Sequence, residues 1–389
     1  MRQSAPPAIP LSPSPDREPA SQAPPPGTTA QADSTAPAGA AAQAAAERPV
    51  AAAAAPRRKP RDPFFDNAKF LAIVLVVFGH AIEPLRHERA AHALYLFFYC
   101  FHMPVFIIIT GYFSRTFALS GGKARKLITN LAVPYVIFET AYSVFRWALS
   151  DADFKISLLA PFWLTWFLMA AFFWRLSTPV WQQLRWPVPT AILIALLSCM
   201  SNLPDTLELH RTLGLLPYFV IGLSLRPEHF ALLRRPACRA AGAAVLAAGL
   251  AVAFAVQGRM SIEWAYWRHG NDYLGVSEVT GTAMRLAMLA AGLLLSAAFL
   301  ALVPTRGTWF TGLGAATLYA YLLHGFPVKL ATYEHWYRAD WLHGPAGIVA
   351  VGGLSVLATV GLTQPAVRRR LRWAVEPTLS WAFTPLRRP

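Results

Sequence analysis

A succession of apolar stretches, each about the length of a bilayer crossing, constrains this chain more than any single motif. A spanning helix needs roughly 20 mostly apolar residues, within a range of about 17 to 25. By that criterion about ten candidates are present, at residues 66–84, 92–113, 127–149, 158–176, 188–202, 211–226, 238–257, 281–303, 309–331 and 344–364. The fifth and sixth are short, so each reads as a tilted span, an interfacial segment or part of a re-entrant pair. With 55% hydrophobic and 14% charged residues the chain is too apolar for an ordinary soluble enzyme. The expected fold is an all-α polytopic membrane protein of about ten transmembrane helices with a polar interior, embedded in the lipid bilayer.

The formal net charge of +15 raises the question of nucleic acid. The Lys and Arg residues sit in short clusters between apolar runs and make no single basic face, so no nucleic-acid partner is expected. They read as topology determinants, because loops on the cytoplasmic side carry the basic excess. With ten spans, "PRRKPRD", "SRTFALSGGKARK", "RPEHFALLRRPACR" and the C-terminal "RRRLRW" all fall on one side. The opposite connections, such as "NLPDTLELH" and "EWAYWRHGNDYLGVSE", mix acids and aromatics with few bases. Both termini are therefore predicted in the cytoplasm. The Trp and Tyr residues of those outward loops suit the membrane interface and equally suit stacking on sugar rings.

Residues 1–63 hold 14 of the 32 prolines and almost no large apolar side chains, which predicts a disordered cytoplasmic tail without a secretory signal. Residues 64–365 form the expected transmembrane domain, and residues 366–389 a basic cytoplasmic C-terminal tail. The Ala, Arg and Pro content suggests a high-GC bacterium and hence its plasma membrane. Cys100, Cys199 and Cys238 lack metal-ligand spacing, so neither a disulfide framework nor a metal site is expected. No Gly-rich phosphate loop and no inverted pair of broken helices point to a pump or a repeat-built transporter.

Ionisable groups inside spans are costly and hence functional candidates. In "FDNAKFLAIVLVVFGHAIEPL", Lys69 and His80 are almost three helical turns apart, which puts them on one face about 16 Å apart. Asp66 stands three residues before Lys69, in reach of it. Lys69 fits snorkelling to the inner interface as well as a functional role. His80, about a turn from the outer end, can exchange protons near neutral pH. In the second span His102 precedes Pro104 by two residues, so a proline bend would open the helix beside it, although packing serves as well. Tyr112, Ser114 and Arg115 mark the inner end of that span, where Arg115 fits a positive-inside anchor. Glu139 is a carboxylate near the middle of the third span and needs a partner or water. Trp163 and Trp166 share a helical face, and His324 can lie beside Tyr321, three residues before it. One dispersed polar lumen accommodates these groups.

The ordered series "AKFLAIVLVVFGHA", "FHMPVFIIITGYF", "RKLITNLAVPYVIFE", "WFLMAAFFW", "LPYFVIGL" and "LYAYLLHGF" resembles the acyltransferase-3 family, in particular its fucose 4-O-acetylase-like branch. Its most specific element is a basic residue, ten intervening residues and a histidine, matched by Lys69 and His80. The resemblance covers about residues 64–365, and no soluble esterase-like domain is read after the last span. It implies an O-acyltransferase that moves an acyl group, commonly acetyl from acetyl-CoA, to a hydroxyl of a carbohydrate or related small-molecule acceptor. His80 matches the family's catalytic histidine and Lys69 its paired base, while His102 and Trp166 match further landmarks that would line the site with Glu139 and His324. Lys69 and Arg115 would meet the phosphates of CoA arriving from inside. His80 would act as a general base or carry the acetyl group covalently. From another class, an exporter of a polysaccharide or small solute without acyl transfer remains the alternative.

Overall fold

The computed structural model describes residues 62–120 and 122–384, so the disordered tail expected over residues 1–63 lies, up to residue 61, outside the described residues. Among the described residues every regular element is helical. Helix α1 (Pro63–Ile82) starts where the Asp62 carboxylate accepts from the Phe64 amide at 3.0 Å, with Pro63 at the first helical position where its missing N–H costs nothing. It runs into a tight 3₁₀ turn, Glu83–Leu85. There follow α2 (Arg89–Tyr99), α3 (His102–Ser114), α4 (Gly122–Leu127) and, through a π-helical segment at Ile128–Ala132, α5 (Val133–Leu149). Next come α6 (Trp166–Leu176), α7 (Thr178–Trp181), α8 (Pro187–Cys199), α9 (Leu209–Gly214), α10 (Leu216–Ser224) and α11 (Pro227–Leu233). The chain then forms α12 (Pro236–Val256), α13 (Glu263–Tyr266), α14 (Glu278–Leu302), α15 (Thr317–Leu323), α16 (Gly325–Tyr333), α17 (Pro345–Leu362) and α18 (Pro365–Val375).

Six stretches are long and apolar enough to cross a membrane: Pro63–Leu85, Arg89–Ser114, Gly122–Leu149, Pro236–Val256, Glu278–Leu302 and Pro345–Leu362. The other four of the ten expected spans are shorter or broken. Residues 158–165 are irregular before α6, and α8 has 13 residues. The stretch 211–226 divides at Leu215 ahead of Pro217, and the ninth candidate divides into a 3₁₀ segment, α15 and α16. The apolar exterior fits hydrocarbon. Of the 21 residues of α12 only Gly242 and Ala253 are buried, and on α17 Leu357 is 68% exposed. Water would not tolerate so continuous an apolar surface, whereas helices with internally satisfied backbones are stable in lipid. This is a multi-pass membrane protein.

Helix α1 is the axis of the bundle, packed against α2, α3, α15, α17 and the 3₁₀ turn Thr311–Ala316. Its start is fixed by Asn67, which is fully buried. The Asn67 amide donates to the carbonyls of Pro304 and Arg306 at 2.9 and 3.0 Å, and its oxygen accepts from the Thr308 and Thr311 hydroxyls at 3.1 and 2.7 Å. All four hydrogen-bonding positions of the amide are thus used. Helices α3 and α10 cross at Gly111 and Gly222, where a Cβ on either would collide with the backbone of the other helix. Such glycine contacts let two apolar helices approach closely without side-chain interdigitation. The basic C-terminal segment expected to be a tail is partly helical: α18 packs against α5 and α15 and buries Ala374 and Val375.

Candidate active site

The polar groups of α1 open onto two cavities rather than one lumen. The larger, about 300 Å³, is lined by His80, His102, Trp163, Trp166 and a set of tyrosines and charged residues from the connections at the far end of α1. The smaller, about 180 Å³, is lined by Lys69 with Met103, Phe106, Thr317 and Tyr321. Met103 and Tyr321 belong to both linings, so they are the wall between them. The eleven-residue spacing does put Lys69 and His80 on the same side of α1, but in successive compartments.

His80 sits at the end of α1, 12% exposed at its side chain. Its Nδ1 faces the Glu83 carboxylate at 3.6 Å, one turn later in the chain, and the Tyr99 hydroxyl at 3.4 Å. The ring meets Trp163 edge-on at 4.6 Å between centroids, with the His324 ring 5.3 Å away. His102 and His324 are each held by the helix before them: each Nδ1 donates to the carbonyl four residues back, Phe98 of α2 at 2.6 Å and Ala320 of α15 at 3.0 Å. His324 Nε2 is buried without a partner, and the residue lines a separate apolar cavity behind His80 instead of the polar one. The helix break beside His102 lies at Cys100–Phe101, before the histidine. Pro104 falls in the first turn of α3, where it breaks no helical hydrogen bond.

Trp163 and Trp166 do not share a helical face, because α6 begins only at Trp166 and Trp163 has a left-handed backbone, φ 46°. Both nevertheless reach the cavity. The conformation at Trp163, which costs about 1–3 kcal/mol in a non-glycine residue, is held from behind by Glu139. One Glu139 carboxylate oxygen accepts from the Phe162 amide at 2.8 Å and the Thr165 hydroxyl at 2.6 Å, on either side of Trp163. Glu139 thus has its partners but does not line the cavity. On the Trp163 ring rests Lys329, its Nζ 4.2 Å from the centroid.

The rest of the larger cavity is built from segments whose function the sequence alone did not single out. Glu208 lies 3.6 Å from both Arg211 and Arg268, and Arg211 stacks over Trp166 at 4.7 Å. Arg86 donates to the Tyr266 hydroxyl at 2.9 Å, which shares a 2.6 Å hydrogen bond with Tyr95. Burial pushes the Tyr266 hydroxyl up, so it stays protonated. Burial would lower Arg86, and Tyr266, Tyr95 and Glu83 more than offset it. Three carboxylates, Glu83, Glu208 and Glu263, face three guanidinium groups, Arg86, Arg211 and Arg268, among aromatic rings. Such a charge-balanced, aromatic lining suits a neutral, hydroxyl-rich ligand. The usable signal for Glu83 was its position three residues after His80; the long-range residues had none.

At the other end, Lys69 pairs with Asp66 at 2.7 Å. Arg115 is not brought to Lys69's cavity. It donates to the Tyr112 and Leu225 carbonyls at 2.8 and 3.0 Å and lies 3.7 Å over the Tyr112 ring, tying α3 to the end of α10. Among the described residues no group of three His, Cys, Asp or Glu side chains converges as a metal site would require.

Residues 62–364 match the family model of the acyltransferase domain, acyltransferase 3. One relative, the nodulation protein NolL of Sinorhizobium fredii (strain NBRC 101917 / NGR234), is 27% identical over 128 residues, which cover 29% of this chain and 35% of NolL. The alignment therefore spans about a third of that relative's length. No solved structure matches the chain. Since the family model covers most of the 389 residues, from the start of α1 to the end of α17, the chain belongs to the acyltransferase-3 family.

Proposed function

We propose that the chain is an integral plasma-membrane O-acyltransferase that moves acetyl from acetyl-CoA to a hydroxyl of a carbohydrate or related acceptor, with His80 as general base. The observation that carries this reading is His80 in the wall of a polar cavity with Glu83 and Tyr99 at its Nδ1. A hydroxyl is a weak nucleophile until a base takes its proton. Neutral His80 removes that proton as the acceptor oxygen attacks the thioester carbonyl carbon, and Glu83 stabilises the imidazolium that forms. When the carbon–sulfur bond breaks, the imidazolium returns the proton to the leaving thiolate. General-base assistance of this kind is worth about 10² to 10⁴ in rate.

The donor approaches from the Lys69 end, taken as cytoplasmic with both termini, and the acceptor from the opposite end. Met103 and Tyr321, the shared wall, are where the thioester must reach through. The acceptor meets His102, Trp166 and the paired Arg and Glu residues, while His324 backs His80 and Glu139 holds Trp163 against it. The resemblance to the fucose 4-O-acetylase-like branch supports a sugar hydroxyl as acceptor. The exporter alternative has no specific observation behind it.

The test is acetyl transfer to cell-surface glycans by wild type and His80→Ala at matched membrane expression. Loss of transfer with normal folding is the expected result, and unchanged transfer would sink the catalytic role.

A further inference from the structure

At the end of the bundle where α15 begins, a third polar cavity of about 320 Å³ is lined by Tyr319, Pro365, Arg368, Arg369, Arg372 and Glu376. The three arginines lie on α18 at positions i, i+1 and i+4, so Arg368 and Arg372 stack one turn apart. Among the described residues none of the three is in an ion pair, including with Glu376. Facing them is Tyr319, 1% exposed, whose buried hydroxyl has the Arg368 guanidinium, itself only a donor, beside it and no acceptor for its own proton. The Arg368 guanidinium stands 6.0 Å from the centre of its ring. A buried hydroxyl whose proton has no acceptor is costly, and here it adjoins three guanidinium groups that outnumber the single carboxylate of Glu376.

The geometry points to a binding site for a phosphate ester. Such a group brings negative charge and several strong acceptor oxygens, which suit the planar forks of two or three guanidinium groups and one phenolic donor. A carboxylate ligand would leave donors over, and a cation would be repelled. Glu376 is the one opposing charge in the lining and weakens the site without cancelling it. The cluster begins just beyond residue 364, where the family match ends, so it belongs to this chain's own terminal helix. It is also close to the Lys69 compartment, since Thr317, Leu318 and Tyr321 of α15 line that cavity while Tyr319 lines this one. A phosphate ester reaches it from one of two sources, a soluble cosubstrate such as CoA or an anionic lipid headgroup. The site does not depend on the acyl-transfer reading, and His80→Ala leaves it intact.

The experiment uses the full chain. In one arm, protein in uncharged detergent is titrated with CoA and with dephospho-CoA. In the other, protein in phosphatidylcholine nanodiscs containing labelled phosphatidylglycerol is assayed for retained anionic lipid. Replacing all three arginines (Arg368→Gln, Arg369→Gln, Arg372→Gln) is expected to weaken binding about tenfold or more in one arm, which identifies the source. Tyr319→Phe should weaken it a few-fold, and Glu376→Gln should tighten it, a change of sign that a merely unfolded variant cannot produce. An unchanged thermal unfolding midpoint shows that α18 is still docked. If the triple variant does not fold, the two single variants decide. Variants that bind both phosphate sources as the wild type does would overturn the proposal.

Discussion

At its first turns α1 closes its charges: Lys69 meets Asp66 at 2.7 Å and Asn67 has every hydrogen-bonding position filled. At its last turn the polar groups are left apart, with Glu83 3.6 Å and Tyr99 3.4 Å from the same nitrogen of His80. The same helix in the same bundle therefore carries one end whose polar groups are closed on one another and one whose polar groups line a cavity. A close pair within one turn is a structural solution to a costly lysine, while an imidazole with longer contacts in a cavity wall stays open to a ligand. The difference separates the end where the charges are fixed in place from the end where they stay open to a ligand.

The largest effect expected from breaking this contrast is at His80. His80→Ala should lower initial rates of acetyl transfer by about 10² to 10⁴ while leaving the unfolding temperature of the purified protein within error. Glu83→Gln removes the charge facing the imidazolium but keeps its shape. A hydrogen bond or close contact to a charged group is worth about 1.5–3 kcal/mol, so kcat should fall about tenfold to a hundredfold with KM little changed. At Glu139 the contrast is finer. Glu139→Gln keeps an acceptor for Phe162 and Thr165 and should retain most activity, whereas Glu139→Leu should release Trp163 and cost roughly tenfold, read as kcat in the same assay. The smallest effect belongs to the anchored end. Asp66→Asn should cost about 1 kcal/mol or less in unfolding measurements, because the pair is partly solvated, and Lys69→Ala should raise the donor KM a few-fold without lowering kcat.

Much of the helical framework was legible because hydropathy over about 20 residues is a local property. The 3.6-residue repeat likewise located the Asp66–Lys69 pair and the common side of Lys69 and His80. Pattern failed where the chain departs from a helix for long-range reasons. Trp163 looks like one turn of a helix with Trp166, yet Glu139, 24 residues earlier, takes up the backbone donor next to it and leaves it at φ 46°. Pro104 reads as a kink within one span, but the chain breaks at Phe101 and the proline merely joins the first turn of α3. The acceptor side of the cavity was the least legible. Arg86, Glu208, Arg211 and Tyr266 come from connections far apart in sequence, and only the folded bundle sets Arg86 against Tyr266, 180 residues away.

The most direct test compares cell-surface glycans by mass spectrometry in three strains: one expressing the native chain, one lacking it, and one carrying His80→Ala at the same membrane level. The account predicts an acetyl group present in the first, lost in the second and still missing in the third. Restoration of that acetyl group by the His80→Ala protein would contradict it.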